Sequence, residues 1–539
     1  MNLALTLFFC TNLVAADPTA SNSIAVDTVV VCDPALREAL EPWVQYRQRQ
    51  GHEFAFVTDL RSADEVHASI RRFASSDRLR NVVLVGDVGS DRQAGGVPTE
   101  LVKAKINVKW GSESEIASDN RFADLNEDNV PDLTIGRLSA DTPDQLTRIV
   151  EKIIAYEQSQ AYGPWRRRVN FVAGVGGFGA ITDAVLESAT RAFISRGIPN
   201  EFRTSMTYAS WRSPYCPDPR TFRQAVLNRL NEGCLCWIYI GHGYRHGLDW
   251  IRVPTGRAPI LQANDVVHVQ AQQGSPIAVF LSCYAGAFDS PEDCLAEKLL
   301  RRKQGPIAVL AGSRVTMPYG MAVMSNSLMH HLFQQRQATM GEIVLAAKRE
   351  LADPKPSGFN RRMLDTLAMA ISPNSDDLEG ERQEHIQLFN LLGDPLLRVK
   401  HPQELEVTTA PTAAPGQSLT ISCRSAVTGD CYVELVCQRG QFTHQPTRRT
   451  QFDSTHEGMK ALTAEYLRAN NDCFAQRKFR AEAELFETQL TIPQHVVGRC
   501  HVRVFVAGEQ GYAMGAANLR VAKPQPPLAG TSDSTKAAP

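Results

Sequence analysis

A histidine held between two glycines, Gly241-His242-Gly243, follows directly on the apolar run Trp237-Ile238-Tyr239-Ile240. A second apolar run, residues 277–281, leads equally directly into Ser282-Cys283-Tyr284-Ala285-Gly286. Short continuous apolar runs read as strands buried in a parallel sheet, and such sheets gather their functional groups at the carboxyl ends of strands. If the two strands are neighbours, about 5 Å apart, His242 and Cys283 emerge side by side. An imidazole beside a thiol favours the thiolate that attacks a carbonyl, and the same imidazole can then protonate a leaving amine. The flanking glycines let backbone approach a substrate, with the Gly243 and Cys283 N–H groups as oxyanion donors. Alone, each residue reads as a buried structural cysteine or a turn histidine. Their pairing at two strand ends is what points to nucleophilic catalysis.

Three further patterns compete for a function. Gly174-Val175-Gly176-Gly177-Phe178-Gly179 matches the dinucleotide fingerprint G-x-G-x-x-G. Glu201, however, precedes the Phe202–Thr204 stretch instead of ending a second strand, so Gly176 and Gly177 suit a substrate-pocket wall better than a cofactor cradle. The loop from Asp124 to Asp132 sets Asp124, Asn126, Asp128 and Asp132 at alternate positions, the way Ca²⁺ collects oxygen ligands. It lacks the glycine and glutamate of an EF-hand, and the plainer reading is an acidic turn closed by side-chain hydrogen bonds. His242 and His246 form H-x-x-x-H, but Gly241, Gly243 and Gly247 argue against the helix that zinc binding needs. No organic cofactor is expected.

The elements that must position these residues alternate along the chain. Strands are expected at residues 28–31, 54–57 and 81–85, separated by helices over 34–50 and 63–74. A second block carries strands at 169–173, 235–240, 277–281, 307–310 and 396–399. Its helices fall near 183–196, 218–231, 325–336 and 341–351. This is an α/β pattern with a parallel sheet covered on both faces, in two sub-blocks, residues 24–160 and 165–400. After Pro402 the period changes to the alternation of half-buried strands. Residues 403–522 read as a β-sandwich interrupted by a helical insertion near 457–487, and residues 523–539 as a disordered tail.

The 539 residues carry 57 Lys+Arg against 58 Asp+Glu, which leaves no basic stripe for nucleic acid. With 43% hydrophobic and 21% charged residues the composition is globular. No apolar run approaches the roughly 18 residues that span a bilayer. Residues 1–16 read as an export signal, mostly apolar and ending in Val14-Ala15-Ala16, which places the mature protein in a periplasmic or extracellular space. The 12 cysteines form no CxxC pair. Any disulfides are expected among Cys423, Cys431, Cys437, Cys473 and Cys500, with the pairing open.

The segments Gly241–Gly243 and Ser282–Gly286 resemble those of gingipain-type cysteine peptidases, which share the caspase-like fold. The resemblance continues through VLVGD (residues 83–87), PDLTIGRL (131–138), KIIAYE (152–157) and LLGDP (391–395), and covers roughly residues 24–400. It implies a His242–Cys283 dyad, protein or peptide substrates, and an immunoglobulin-like domain after the peptidase domain. It also implies that Asp183, just past the glycine loop, lies at the base of a pocket for Arg or Lys; otherwise Asp183 caps the following helix. One departure stands out. Where gingipains place a glutamate to assist the histidine, this chain reads Gly174-Val175-Gly176-Gly177. The other readings the sequence allows are a catalytically silent relative that binds protein or glycan, and a peptidyl-transfer enzyme with the same dyad.

Overall fold

The computed structural model describes residues 26–74, 77–88, 96–175, 197–355 and 358–523. The expected export signal, the helix near 183–196 and all but the first residue of the expected tail lie outside them. A sheet of ten strands runs through both α/β blocks. Its spatial order is Phe54–Val57, Thr28–Cys32, Asn81–Val85, Thr134–Leu138, Phe389–Leu392, Ala308–Gly312, Ile277–Leu281, Cys236–Ile240, Arg168–Ala173 and Arg203–Tyr208. Every neighbouring pair is parallel except Ala308–Gly312 with Phe389–Leu392. The central strands are buried along their whole length, as their unbroken Val, Ile and Leu runs require of a sheet covered on both faces.

Two expectations need correction here. The closing strand is Phe389–Leu392, not 396–399. Gly393, at φ 150°, turns the chain out of the sheet. The apolar Leu396, Leu397 and Val399 that imitate a strand are instead buried in the turn that follows. Helices Phe359–Ile371 and Leu378–Leu388, which the sequence left unassigned, pack beside that turn's neighbours. In the C-terminal domain the helix stops at Ala469, and Cys473–Ala481 and Leu485–Thr491 are strands. Their Ala, Glu and Lys content is that of a helix. They are largely exposed strands, however, so their outward faces accept such residues, while Ala481 and Leu490 point into the β core.

That β domain is an eight-stranded sheet with its own apolar core. All of its described cysteines are free, and Cys437 lies directly across the ladder from Cys500. The domain is docked on the α/β block by buried polar contacts. Glu434 accepts from Arg167 of the α/β block at 2.9 Å and from Arg503 of its own domain at 2.8 Å. Burial alone would raise the Glu434 pKa, yet the charges of Arg503 and Arg167 hold it at about 2, down from an ordinary 4.5. A carboxyl with a depressed folded-state pKa contributes stability above its unfolded value and loses it as pH falls toward the folded one. Thermal melts should therefore show wild type losing stability between about pH 5 and pH 2 more steeply than Glu434→Gln. Parallel acid slopes for the two proteins would show that this ion pair contributes nothing at the junction.

Candidate active site

The strands ending before His242 and Cys283 are adjacent and parallel, with Ile240 in register with Leu281. The Gly241 N–H still reaches the Leu281 carbonyl, at 3.2 Å, so both chains leave the sheet at one level and on one edge. The two glycines around His242 have distinct reasons. Gly241 has φ 151°, and a β-carbon there would meet the Tyr239 hydroxyl at 2.8 Å. At Gly243 a β-carbon would fall 2.7 Å from the Cys283 carbonyl oxygen and 2.8 Å from Ser282 Oγ. The His242 segment can therefore lie against the Cys283 segment only without a side chain at 243. The His242 carbonyl accepts from the Tyr239 hydroxyl at 2.7 Å and the Asp249 N–H at 3.1 Å, which fixes its backbone.

Beyond His242 the chain makes a short hairpin, Gly243–Tyr244 against Gly247–Leu248. Asp249 donates to His242, whereas Leu248 donates outward to Leu261. Hydrogen-bonded and non-hydrogen-bonded pairs alternate in an antiparallel ladder, so the Gly243 N–H points away from its hairpin partner. Cys283 is half-buried, and its sulfur receives the Thr316 N–H at 3.3 Å, with Thr316 Oγ1 at 3.6 Å. Thr316 sits between strand Ala308–Gly312 and helix Pro318–Met329, an arrangement with no signature in the sequence. Tyr284, with φ 55°, turns the chain sharply after the cysteine, and Ala285 donates to the Cys283 carbonyl at 2.7 Å. A bulky residue in the left-handed region costs about 1–2 kcal/mol and persists only where its surroundings impose it. Elsewhere burial makes thiols inert: Cys32, Cys216 and Cys236 are pushed up to about 12.

Sequence reasoning missed Asp249. It is buried, one carboxylate oxygen accepts from Arg252 at 3.2 Å, and the other has no hydrogen-bond partner among the described residues. A β-carbon on Gly174 would lie 3.6 Å from that second oxygen, so the acid lies beneath the first glycine of the Gly174–Gly177 loop. Gly176, Gly177 and Asp183 themselves lie outside the described residues.

The Asp124–Asp132 loop closes on itself. Asp124 accepts the N–H groups of Glu127 at 2.7 Å and Asn129 at 2.8 Å, and Asp132 accepts from Leu125 at 2.8 Å. Asn126 accepts from Asp128 at 3.0 Å, and Asp128 from Val130 at 2.8 Å. Carboxylates offer about four acceptor positions each, so these groups retain capacity for a cation. Burial raises the Asp124 pKa. Another acidic group, Asp87, Asp293 and Glu297, already encloses a cation: Arg301 lies 3.0 Å from Asp87 and 2.8 Å from Asp293.

The sequence profile of peptidase family C25 matches residues 21–400. The chain belongs to that family. Membership relates it by descent to peptidases. Among curated proteins, Lys-gingipain of Porphyromonas gingivalis is 22% identical over 312 residues, which is 55% of this chain and 16% of that protein. The chain thus aligns to only a small part of the relatives it matches. A crystal structure of the Arg-specific cysteine proteinase gingipain R superposes with a TM-score of 0.51 at 14% identity, covering 94% of this chain and 100% of that one. The complex of pro- and mature domains of RgpB from Porphyromonas gingivalis gives the same score and identity over 92% of this chain. The fold is therefore the expected caspase-like α/β domain followed by a β domain. Among the described residues no helix is long and apolar enough to cross a membrane.

Proposed function

We propose that this family member is an exported endopeptidase whose catalytic dyad is His242 and Cys283. The observation that carries the reading is the register of Ile240 with Leu281, which brings both residues off one sheet edge. His242 takes the thiol proton as Cys283 sulfur bonds to the scissile carbonyl carbon. The tetrahedral oxyanion is received by the N–H groups of Gly243 and Cys283. Collapse breaks the C–N bond, His242 returns the proton to the leaving amine, and water then hydrolyses the thioester. The Thr316 N–H, aimed at sulfur, serves the anionic form of the nucleophile.

Cleavage after Lys or Arg is part of the reading. It is supported by the names of the relatives, one Lys-gingipain and one Arg-specific, and by the expected place of Asp183 with Gly176 and Gly177 at the pocket wall. Incubation with a defined peptide library, followed by sequencing of the products, tests it. Cuts stopped by thiol alkylation and clustered after basic residues are expected; cuts that persist after alkylation would remove the reading. Export rests on residues 1–16, and the mature N-terminus of the secreted protein decides it.

Calcium is proposed as a structural ligand of Asp124, Asn126, Asp128 and Asp132, supported by the alternation of their oxygens. A ligand that binds only the folded state raises its stability. Millimolar Ca²⁺ should raise the melting temperature and a chelator reverse the change. An identical melting curve in both conditions would leave the loop as a turn held by its own N–H groups.

A further inference from the structure

The hairpin Glu100–Lys103/Glu115–Ser118 belongs to the N-terminal block, yet its loop reaches the edge where His242 and Cys283 emerge. Glu113 stands on that loop. One of its carboxylate oxygens, Oε1, accepts from Arg245 at 2.6 Å, and the other, Oε2, accepts from the Tyr284 hydroxyl at 2.7 Å. Arg245 lies three residues past His242, in the turn of the short hairpin, and Tyr284 is the residue after Cys283. The Arg245 guanidinium also lies over the Tyr284 ring, 5.3 Å from its centre, and Arg314 approaches Glu113 at 3.6 Å. The loop itself is pinned from the catalytic side. Arg314 donates to the Glu115 carbonyl at 3.0 Å and Ser313 Oγ to the Ala117 carbonyl at 2.7 Å.

We propose that Glu113 is a positioning residue whose single carboxylate ties the histidine loop to the cysteine loop. The inference rests on the dyad reading above and adds what holds the dyad together. Both tied segments need outside support. The His242 hairpin has only two residues per strand, and isolated two-stranded hairpins are marginal in water. Tyr284 holds a left-handed backbone at φ 55°, with its N–H on the Arg314 carbonyl at 3.1 Å. A carboxylate that accepts from the tip of one loop and the strained residue of the other removes relative motion between them. A misplacement of about 1 Å between reacting groups can cost roughly 100-fold in rate. Both Glu113 oxygens are engaged in this way, so recognition of a substrate cation is not the role assigned to it.

The test compares wild type, Glu113→Ala, Glu113→Gln, Tyr284→Phe and the double variant Glu113→Ala/Tyr284→Phe on one peptide substrate. Glu113→Ala is expected to lower kcat by about 10- to 100-fold with KM changed by less than about twofold, because the carboxylate does not touch substrate. Alkylation of Cys283 by iodoacetamide should slow in the same variant, a readout independent of turnover. Glu113→Gln retains one acceptor and should recover part of the loss. The double variant should be no slower than the worse single one, since both break the same tie. Glu113 is exposed on a loop, so melting temperatures within a few degrees of wild type are expected. If wild type cleaves and Glu113→Ala matches it in kcat and alkylation rate, the tie is not functional. Additive losses in the double variant would equally overturn it. If wild type itself fails to cleave, the dyad reading fails first.

Discussion

Cys283→Ala protein should turn peptides over at least about 1,000-fold more slowly than wild type, and His242→Ala should fall into the same range. The reason is geometric. The two side chains leave neighbouring strands in register, and Gly243 allows the segments to touch by lacking a β-carbon. Attack needs the thiolate, and departure of the amine needs the returned proton, so removing either residue stops one cycle. Residues that act as a unit are not additive: the double variant should be no slower than the worse single. KM should move little, because neither side chain holds the substrate before reaction. A His242→Ala protein with more than about a tenth of wild-type kcat would show that another base serves Cys283.

The second large effect is on stability. Arg47 is fully buried, with Glu157 at 2.8 Å and Asp394 at 2.6 Å. The same Asp394 oxygen accepts from the Trp43 indole at 2.6 Å, and Glu157 accepts from the Arg398 N–H at 2.9 Å. Arg47→Met would leave two carboxylates facing each other in the core without a cation. Breaking a buried ion pair from one side costs about 3–5 kcal/mol. Arg47→Met should therefore lose about 3–5 kcal/mol relative to wild type in urea denaturation. A loss below about 1 kcal/mol would contradict this account of the core.

This network also explains what was legible in the sequence. The fragments KIIAYE and LLGDP contribute Glu157 and Asp394 to Arg47. PDLTIGRL contributes Arg137, buried against Asp119 at 2.7 Å. VLVGD contributes Asp87, which burial and then the Glu297 charge push up to about 9, beside Arg301. These fragments mark how the sheet is fastened, not where chemistry happens, and so they carry the fold. The strand-end positions of His242 and Cys283 were readable because strand ends are visible as apolar runs that break at Gly241 and Ser282. Thr316, Asp249 and Glu113 were not. Each reaches the site through contacts across the chain, and nothing about a lone threonine or an exposed loop glutamate distinguishes it locally. The strands at 473–481 and 485–491 failed for a different reason: largely exposed strands can carry helix-forming residues on their solvent face.

Covalent labelling identifies the nucleophile directly. The purified protein is treated with a peptide chloromethyl ketone ending in lysine or arginine, then digested and mapped by mass spectrometry. Of the 12 cysteines in the chain, only Cys283 should carry the peptidyl thioether. Labelling should reach one adduct per chain as activity falls to zero, and it should slow sharply in His242→Ala. Complete inactivation with the adduct on another residue, or full peptidase activity with Cys283 quantitatively alkylated, would contradict the assignment.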